Sequence, residues 1–259
     1  MNASVATGIH RLDRIDMLRA AAMLWMTVYH FCFDLNYHGL LREDFYQDPF
    51  WTWQRTAIVS LFLFTAGLSQ AVALNQGQGW ARFWRRWAKV AGGALLVSLG
   101  SWLMFPNSFI YFGILHGIAV MLVVARLTAG WGAWLWPAGA LAISMKWVAP
   151  WVIGAVPSLG FLDLPGFNAL GFISRLPVTE DYAPLLPWLG VVWWGVAAGR
   201  WAVAHRPAWL GADDAAPTTG IRQFLAGLGR WSLPYYLVHQ PVMLGLVSAY
   251  IALSRTVSA

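Results

Sequence analysis

An all-α, polytopic membrane bundle of seven to eight spanning helices is the fold this sequence predicts, on three observations. Of 259 residues, 59% are hydrophobic and 11% charged, whereas a soluble domain carries about 25% charged residues. Eighteen tryptophans are present, and indole rings favour the membrane–water interface. Apolar runs of about 20 residues, the length that crosses a hydrocarbon core, recur along the chain.

The runs give seven spanning helices, at about 15–38, 53–74, 84–105, 109–127, 130–148, 184–204 and 233–253. Helix is required because an isolated strand in lipid leaves its backbone unpaired. The first run reads as a span and not a cleavable signal peptide, because it contains Arg19 and Asp34 and no small-residue cleavage site follows it. Between the fifth and sixth runs, "PWVIGAVPSLGFL" (150–162) leaves room for an eighth, short or re-entrant segment. "RPAWLGADDAAPTTG" (206–220) reads as a loop with little chemistry. There is no internal repeat, and one domain over 1–259 is the expected organisation.

The loops orient the bundle. Arg11 and Arg14 precede the first helix, Arg82, Arg85, Arg86 and Lys89 follow the second, Arg126 the fourth, and Arg200, Arg206 and Arg222 the sixth. A cytoplasmic amino terminus puts all four groups on the positive inside. "REDFYQD" (42–48), "PNS" (106–108) and the stretch 149–183 then face outward. The net charge of +6 is broken up by apolar spans, so membrane lipids are the expected surroundings and nucleic acid is not a partner. The single Cys32 excludes an intramolecular disulfide. Oligomeric state is left open.

The ionisable residues inside the spans are the candidates for chemistry. Arg19 and His30 are eleven positions apart on the first helix and face nearly the same way. Asp34 lies one turn past His30, within reach of its ring. His30, its tautomer fixed by Asp34, reads as a base for a hydroxyl or amine. A polar clamp between helices is the competing account. Asn36 and His38 follow at the outer end, as acceptor contacts or as interfacial groups. His116, beside Gly113 and Gly117, reads as a packing hydrogen bond or a site residue, and His239 stands next to Gln240 and Pro241 in the last run. Asp181, in "EDYAPLLPW", reads as an acceptor contact or a helix-start charge. "ARFWRRWAK" (81–89) reads as a topology signal or an electropositive mouth for phosphates. No nucleotide-loop motif or hydrolase elbow occurs. His30 and His38 lie eight apart with no third ligand in reach, so no metal is expected.

"RLDRIDMLRAAAMLWMTVYHFCFDLNYHG" resembles the opening of bacterial proteins that share the catalytic domain of heparan-α-glucosaminide N-acetyltransferase. The likeness continues through "FLFTAGLS", "IYFGILHGIAV", "DYAPLLPWLGVVWWGVAAGR" and "GRWSLPYYLVHQPV", in the family's order. The Arg19–His30 spacing also resembles the first-helix motif of the acyltransferase-3 membrane enzymes. The resemblance implies transfer of an acetyl or similar acyl group from cytoplasmic acetyl-CoA to a hydroxyl or amine of a cell-envelope carbohydrate, in a bacterial inner membrane. It implies His30 as catalytic histidine with Arg19 as its motif partner. The chain is short for the group. In the lysosomal enzyme an asparagine matches His30 and the key histidine lies further on, which leaves His38 as the other candidate base. Arg82, Arg85, Arg86 and Arg126 are the expected contacts to donor phosphates. Two rival functions stand beside this one: a transporter or flippase using Arg19, His30 and Asp34 as a relay, and a non-catalytic assembly partner.

Overall fold

The computed structural model describes residues 13–210 and 220–257. Arg11 and residues 211–219 of the 206–220 loop, which the sequence reading used, lie outside the described residues. Among the described residues eight α-helices run in order: α1 Asp13–Tyr37, α2 Pro49–Asn75, α3 Trp80–Met104, α4 Ile114–Thr128, α5 Leu135–Ala155, α6 Leu185–His205, α7 Gly220–Arg230 and α8 Ser232–Val257. Short 3-10 turns fill several of the connections, and no strand occurs among the described residues. Among the described residues four stretches are long and apolar enough to cross a membrane: Pro49–Asn75, Trp80–Met104, Ile114–Ala155 and Ser232–Ser254. The 27 residues of α2 reach about 40 Å, against a hydrocarbon core of about 30 Å.

While four stretches among the described residues have the length and apolarity of a span, each of the seven expected runs meets a helix, with changed bounds. The fourth begins at Ile114, not 109, because the backbone of 110–113 is tied elsewhere. The fifth runs on through Pro150 to Ala155, so the anticipated re-entrant segment is the end of α5 followed by a 3-10 turn, Pro157–Asp163. The unexpected helix is α7. It exposes Ile221 and Phe224 while burying Ala226 and Gly229, an amphipathic division suited to a membrane surface.

The chain divides into two compact units, which share the length of α2. Residues 16–62 and 218–259 form one, holding most of α1, the start of α2, α7 and α8. Its core gathers Met26, Tyr29, Phe45, Trp51 and Ile58, with Tyr235 and Tyr236 packed against them. Phe45, from the acidic stretch 42–48, is 1% exposed and stacks on Trp51 with centroids 4.0 Å apart. The acids around it do local work. The Asp44 carboxylate accepts the amides of Tyr46 and Gln47, and Asp48 accepts the Phe50 amide at 2.7 Å, just ahead of Pro49. An Asp cap followed by a first-turn proline starts α2.

The other unit holds residues 63–217 and the first turn of α1. Here close helix approach depends on glycine. A Cβ on Gly67 of α2 would strike the Val192 carbonyl of α6, one on Gly195 of α6 would strike the Phe64 carbonyl, and Gly139 of α5 meets Gly190 of α6 in the same way. Lipid offers no hydrophobic drive between helices, so such small-residue seams supply the van der Waals contact that holds them.

Outside the spans, residues 157–184 connect α5 to α6. The Asp163 carboxylate accepts the Ser174 amide at 2.7 Å and its hydroxyl at 2.6 Å. Partial burial works to raise the Asp163 pKa, but the Ser174 hydroxyl and amide, the Arg175 amide and the Arg175 charge outweigh it and hold it below the ordinary value. Burial, with Tyr111 and Asp163 nearby, pushes the Tyr182 phenol well up, which keeps it the donor to the Asn168 carbonyl. Because the folded-state pKa of Asp163 is depressed, its clamp is at full strength above the unfolded carboxylate pKa and is lost as pH falls through the folded value. Hydrogen-exchange protection at the Ser174 and Arg175 amides is therefore expected to fall as pH drops below about 4. Asp163→Asn should remove that pH dependence. Equal acid loss of protection in the Asn variant would show that another group sets it.

Candidate functional site

Helices α1 and α8 bring together most of the polar side chains the sequence singled out in the 16–62/218–259 unit. His30 and Asp34 lie one turn apart on α1, and His38 follows four residues later, just past the helix end at Tyr37. Opposite them α8 presents Tyr235, His239 and Gln240. The His30 and His239 rings lie edge to face with centroids 5.4 Å apart, and Tyr235 stacks on His239 at an interplanar angle of 7°. Asp34 is 1% exposed and His239 9% exposed.

The hydrogen bonds redistribute the expected roles. Asp34 does not bond the His30 ring: its Oδ1 accepts Gln240 Nε2 at 2.8 Å, and its Oδ2 is buried without a hydrogen-bond partner. His38 is engaged at both nitrogens. Nδ1 lies 2.9 Å from the Asp34 carbonyl, and Nε2 lies 3.1 Å from the Ser248 hydroxyl. Since the carbonyl only accepts, Nδ1 carries the proton and Nε2 receives the Ser248 hydrogen. His38 thus ties α1 to α8, while no hydrogen bond engages the His30 ring among the described residues. Asn36 fixes the following loop, its Oδ1 accepting the Glu43 amide at 2.8 Å.

Arg19 belongs to an ion pair that sequence reading missed. Its Nη1 donates to Asp16 Oδ1 at 2.7 Å, and Arg230 lies 3.9 Å from Asp16 Oδ2. Asp16 is 2% exposed. A glycine at 229 lets α7 approach, since a Cβ there would overlap the Asp16 carbonyl. The signal was available as an acid three residues ahead of Arg19.

The remaining candidates lie in the other unit. His116 is bonded at both nitrogens. Its Nδ1 accepts the Gly113 amide at 3.3 Å, so Nε2 bears the proton and donates to Ser98 Oγ at 3.0 Å, which donates to the Ile110 carbonyl at 2.6 Å. Asp181 accepts the Ile114 amide at 2.8 Å. It is a helix-start charge, but for α4 and not for the α6 it precedes in sequence. These bonds explain the late start of α4. Arg126 is 7% exposed. It donates to the Gln78 carbonyl and to Gln78 Oε1 at 2.5 and 3.3 Å, and lies over the Trp80 and Phe83 rings at 4.5 and 4.8 Å. Its charge is directed at the α2–α3 turn. Arg82, Arg85 and Arg86 are exposed on the first turns of α3. No cluster of metal-ligating side chains occurs among the described residues.

The description "Heparan-alpha-glucosaminide N-acetyltransferase, catalytic" belongs to the family that matches residues 11–241. The chain belongs to that family. No curated protein and no solved structure matches it. As a member of the heparan-α-glucosaminide N-acetyltransferase catalytic family, the chain is a transferase of the acetyltransferase kind, and its four apolar stretches make it a membrane one. The matched residues take in α1 through His239 and Gln240 of α8, and so include both sides of the His30–His239 cluster.

Proposed function

We propose that the protein transfers an acetyl group from acetyl-CoA to a hydroxyl or amine of a cell-envelope carbohydrate, with His30 as base or transient acyl carrier. One domain over 1–259 sits in a bacterial inner membrane with its amino terminus cytoplasmic. What supports the reading most is the coincidence of family with geometry: the α1 histidine whose ring is unbonded stands beside two buried groups with unpaired acceptor atoms, Asp34 Oδ2 and His239 Nε2. Such atoms cost free energy to bury, so a site that retains them has a use for them.

In the base role, His30 takes the acceptor's proton as its oxygen or nitrogen bonds to the acetyl carbon. The carbon–sulfur bond breaks, and His30 returns the proton to the departing thiolate. Asp34 holds Gln240 across the α1–α8 seam. Arg82, Arg85 and Arg86, exposed on α3, contact the donor's phosphates, while Arg126 contributes by holding the turn from which α3 starts. Arg19 acts through its pair with Asp16. His38 and Asn36, at the end of α1, shape the surroundings of the acceptor.

The test is incubation of the purified protein, in lipid, with acetyl-labelled acetyl-CoA and envelope glycans, following CoA release and label transfer. Turnover that requires both substrates is expected. Substrate movement across vesicles without any acetyl transfer would overturn the reading in favour of a transporter.

A further inference from the structure

We infer that His239 is the positioning residue of His30: its buried Nε2 accepts the N–H of the His30 ring and so fixes which His30 nitrogen is left bare for chemistry. The inference rests on His30 being the working histidine of the acetyl transfer. It replaces Asp34, the carboxylate that helical spacing suggested for this task.

His239 Nδ1 lies 2.8 Å from the Tyr236 carbonyl. A carbonyl oxygen has only lone pairs to offer, so Nδ1 carries the hydrogen and Nε2 of the neutral ring is an acceptor. That Nε2 is buried with no hydrogen-bond partner. Stacking on Tyr235 holds the ring in place, and Tyr235 is itself held by a 2.5 Å bond to Thr27.

The neighbouring donors on this seam are committed. The Thr27 hydroxyl donates to the Met23 carbonyl at 2.8 Å, so the Tyr235 hydroxyl must supply the hydrogen between them. The Gln240 amide is directed at Asp34. His30 remains: its ring has no hydrogen bond among the described residues and stands 5.4 Å, centroid to centroid, from His239. The pairing requires a reorientation of the His30 ring about Cβ–Cγ that brings its N–H to Nε2. Three acceptors among the described residues of this seam are unmet, His239 Nε2, Asp34 Oδ2 and Gln240 Oε1; His239 is the one whose ring stands against that of His30, and the pairing satisfies its Nε2.

The pairing has a chemical consequence. With one nitrogen donating to His239, the lone pair of the other is fixed as the base or nucleophile. When His30 takes up the acceptor's proton there, the Nε2 lone pair stabilises the resulting imidazolium. His30 then gives that proton to the thiolate and the dyad returns to its starting state. A carboxylate in this place would hold a full negative charge against the cation; a neutral imidazole stabilises it without adding net charge to the site.

The experiment uses the whole protein in lipid bilayers with nitrogen-15-labelled histidine, read by solid-state NMR beside acetyl-transfer kinetics. In the wild type, His239 should show a protonated Nδ1 and a bare Nε2, and His30 a single tautomer. His239→Leu should leave His30 as a mixture of tautomers and lower kcat by about 10²-fold with the KM for acetyl-CoA unchanged. His239→Gln, whose amide oxygen can stand where Nε2 stood, should restore the single tautomer and most of kcat. A protonated Nε2 on wild-type His239, which needs no variant to detect, would overturn the inference. So would a His30 tautomer indifferent to His239→Leu. A wild type that couples the two rings but transfers no acetyl group would defeat the acetyltransferase reading and leave the pairing standing.

Discussion

His30→Ala is expected to lower acetyl transfer by about 10²- to 10⁴-fold, the range over which a positioned proton-transfer group acts, while the protein stays folded. The ring touches Tyr29 and His239 edge to face and, apart from the inferred pairing with His239, makes no hydrogen bond among the described residues, so its removal leaves the helix–helix ties of α1 in place. His38→Ala is the matched control, because both of its nitrogens are bonded, to Asp34 and Ser248. Its loss should appear mainly as lower thermal stability, with turnover per folded molecule reduced far less. Initial rates normalised to the folded fraction separate the two. If His38→Ala loses turnover while His30→Ala keeps it, the assignment of the working histidine is reversed.

Asp16→Ala should be among the most destabilising changes on α1. The carboxylate is 2% exposed, bonded by Arg19 at 2.7 Å and faced by Arg230 at 3.9 Å. Removing one partner of a buried pair commonly costs 3–5 kcal/mol. Both guanidinium groups reach solvent here, with side-chain exposures of 25% and 44%, so about 2–3 kcal/mol is the expected loss. Arg19→Ala should cost less, because Arg230 still faces the acid. Asp16→Asn keeps an acceptor for Arg19 and should fall between the wild type and Asp16→Ala. Thermal unfolding in lipid or mild detergent measures the order, and an Asp16→Ala variant as stable as the wild type would remove the pair from the account of α1.

Much of the helical scaffold was legible because a spanning helix announces itself by length and apolarity alone. What escaped was decided by single residues. The helix α7 is only Gly220–Arg230, half a span in length and carrying Gly227 and Gly229, so neither hydropathy nor propensity marks it. The fifth run was expected to end at about 148, yet α5 continues through Pro150 to Ala155. The beginning of α4 is set by side chains from elsewhere, Ser98 and Asp181.

The site was legible along one helix and not across two. Spacing put Asp34 one turn past His30 on α1 and His38 at its outer end, and His38 is the residue just after Tyr37, where the helix stops. Spacing could not say that Asp34 would bond Gln240, 206 positions away, or that His38 would reach Ser248 across 210. Arg126 shows the same limit. A cation beside a span end reads as an anion contact, but its partners, Gln78 and the rings of Trp80 and Phe83, are chosen by tertiary packing.

Almost none of the spanning window of α8 is buried within the protein, and its outer face presents Val238, Val242, Leu246 and Tyr250. Half of the histidine cluster is therefore mounted on a helix whose main support is the medium beside it. Extraction into detergent threatens the alignment of His239 with His30 before it threatens the glycine-seamed helices of the other unit. A preparation can thus be monodisperse, helical and inactive, and regain its turnover when lipid is returned.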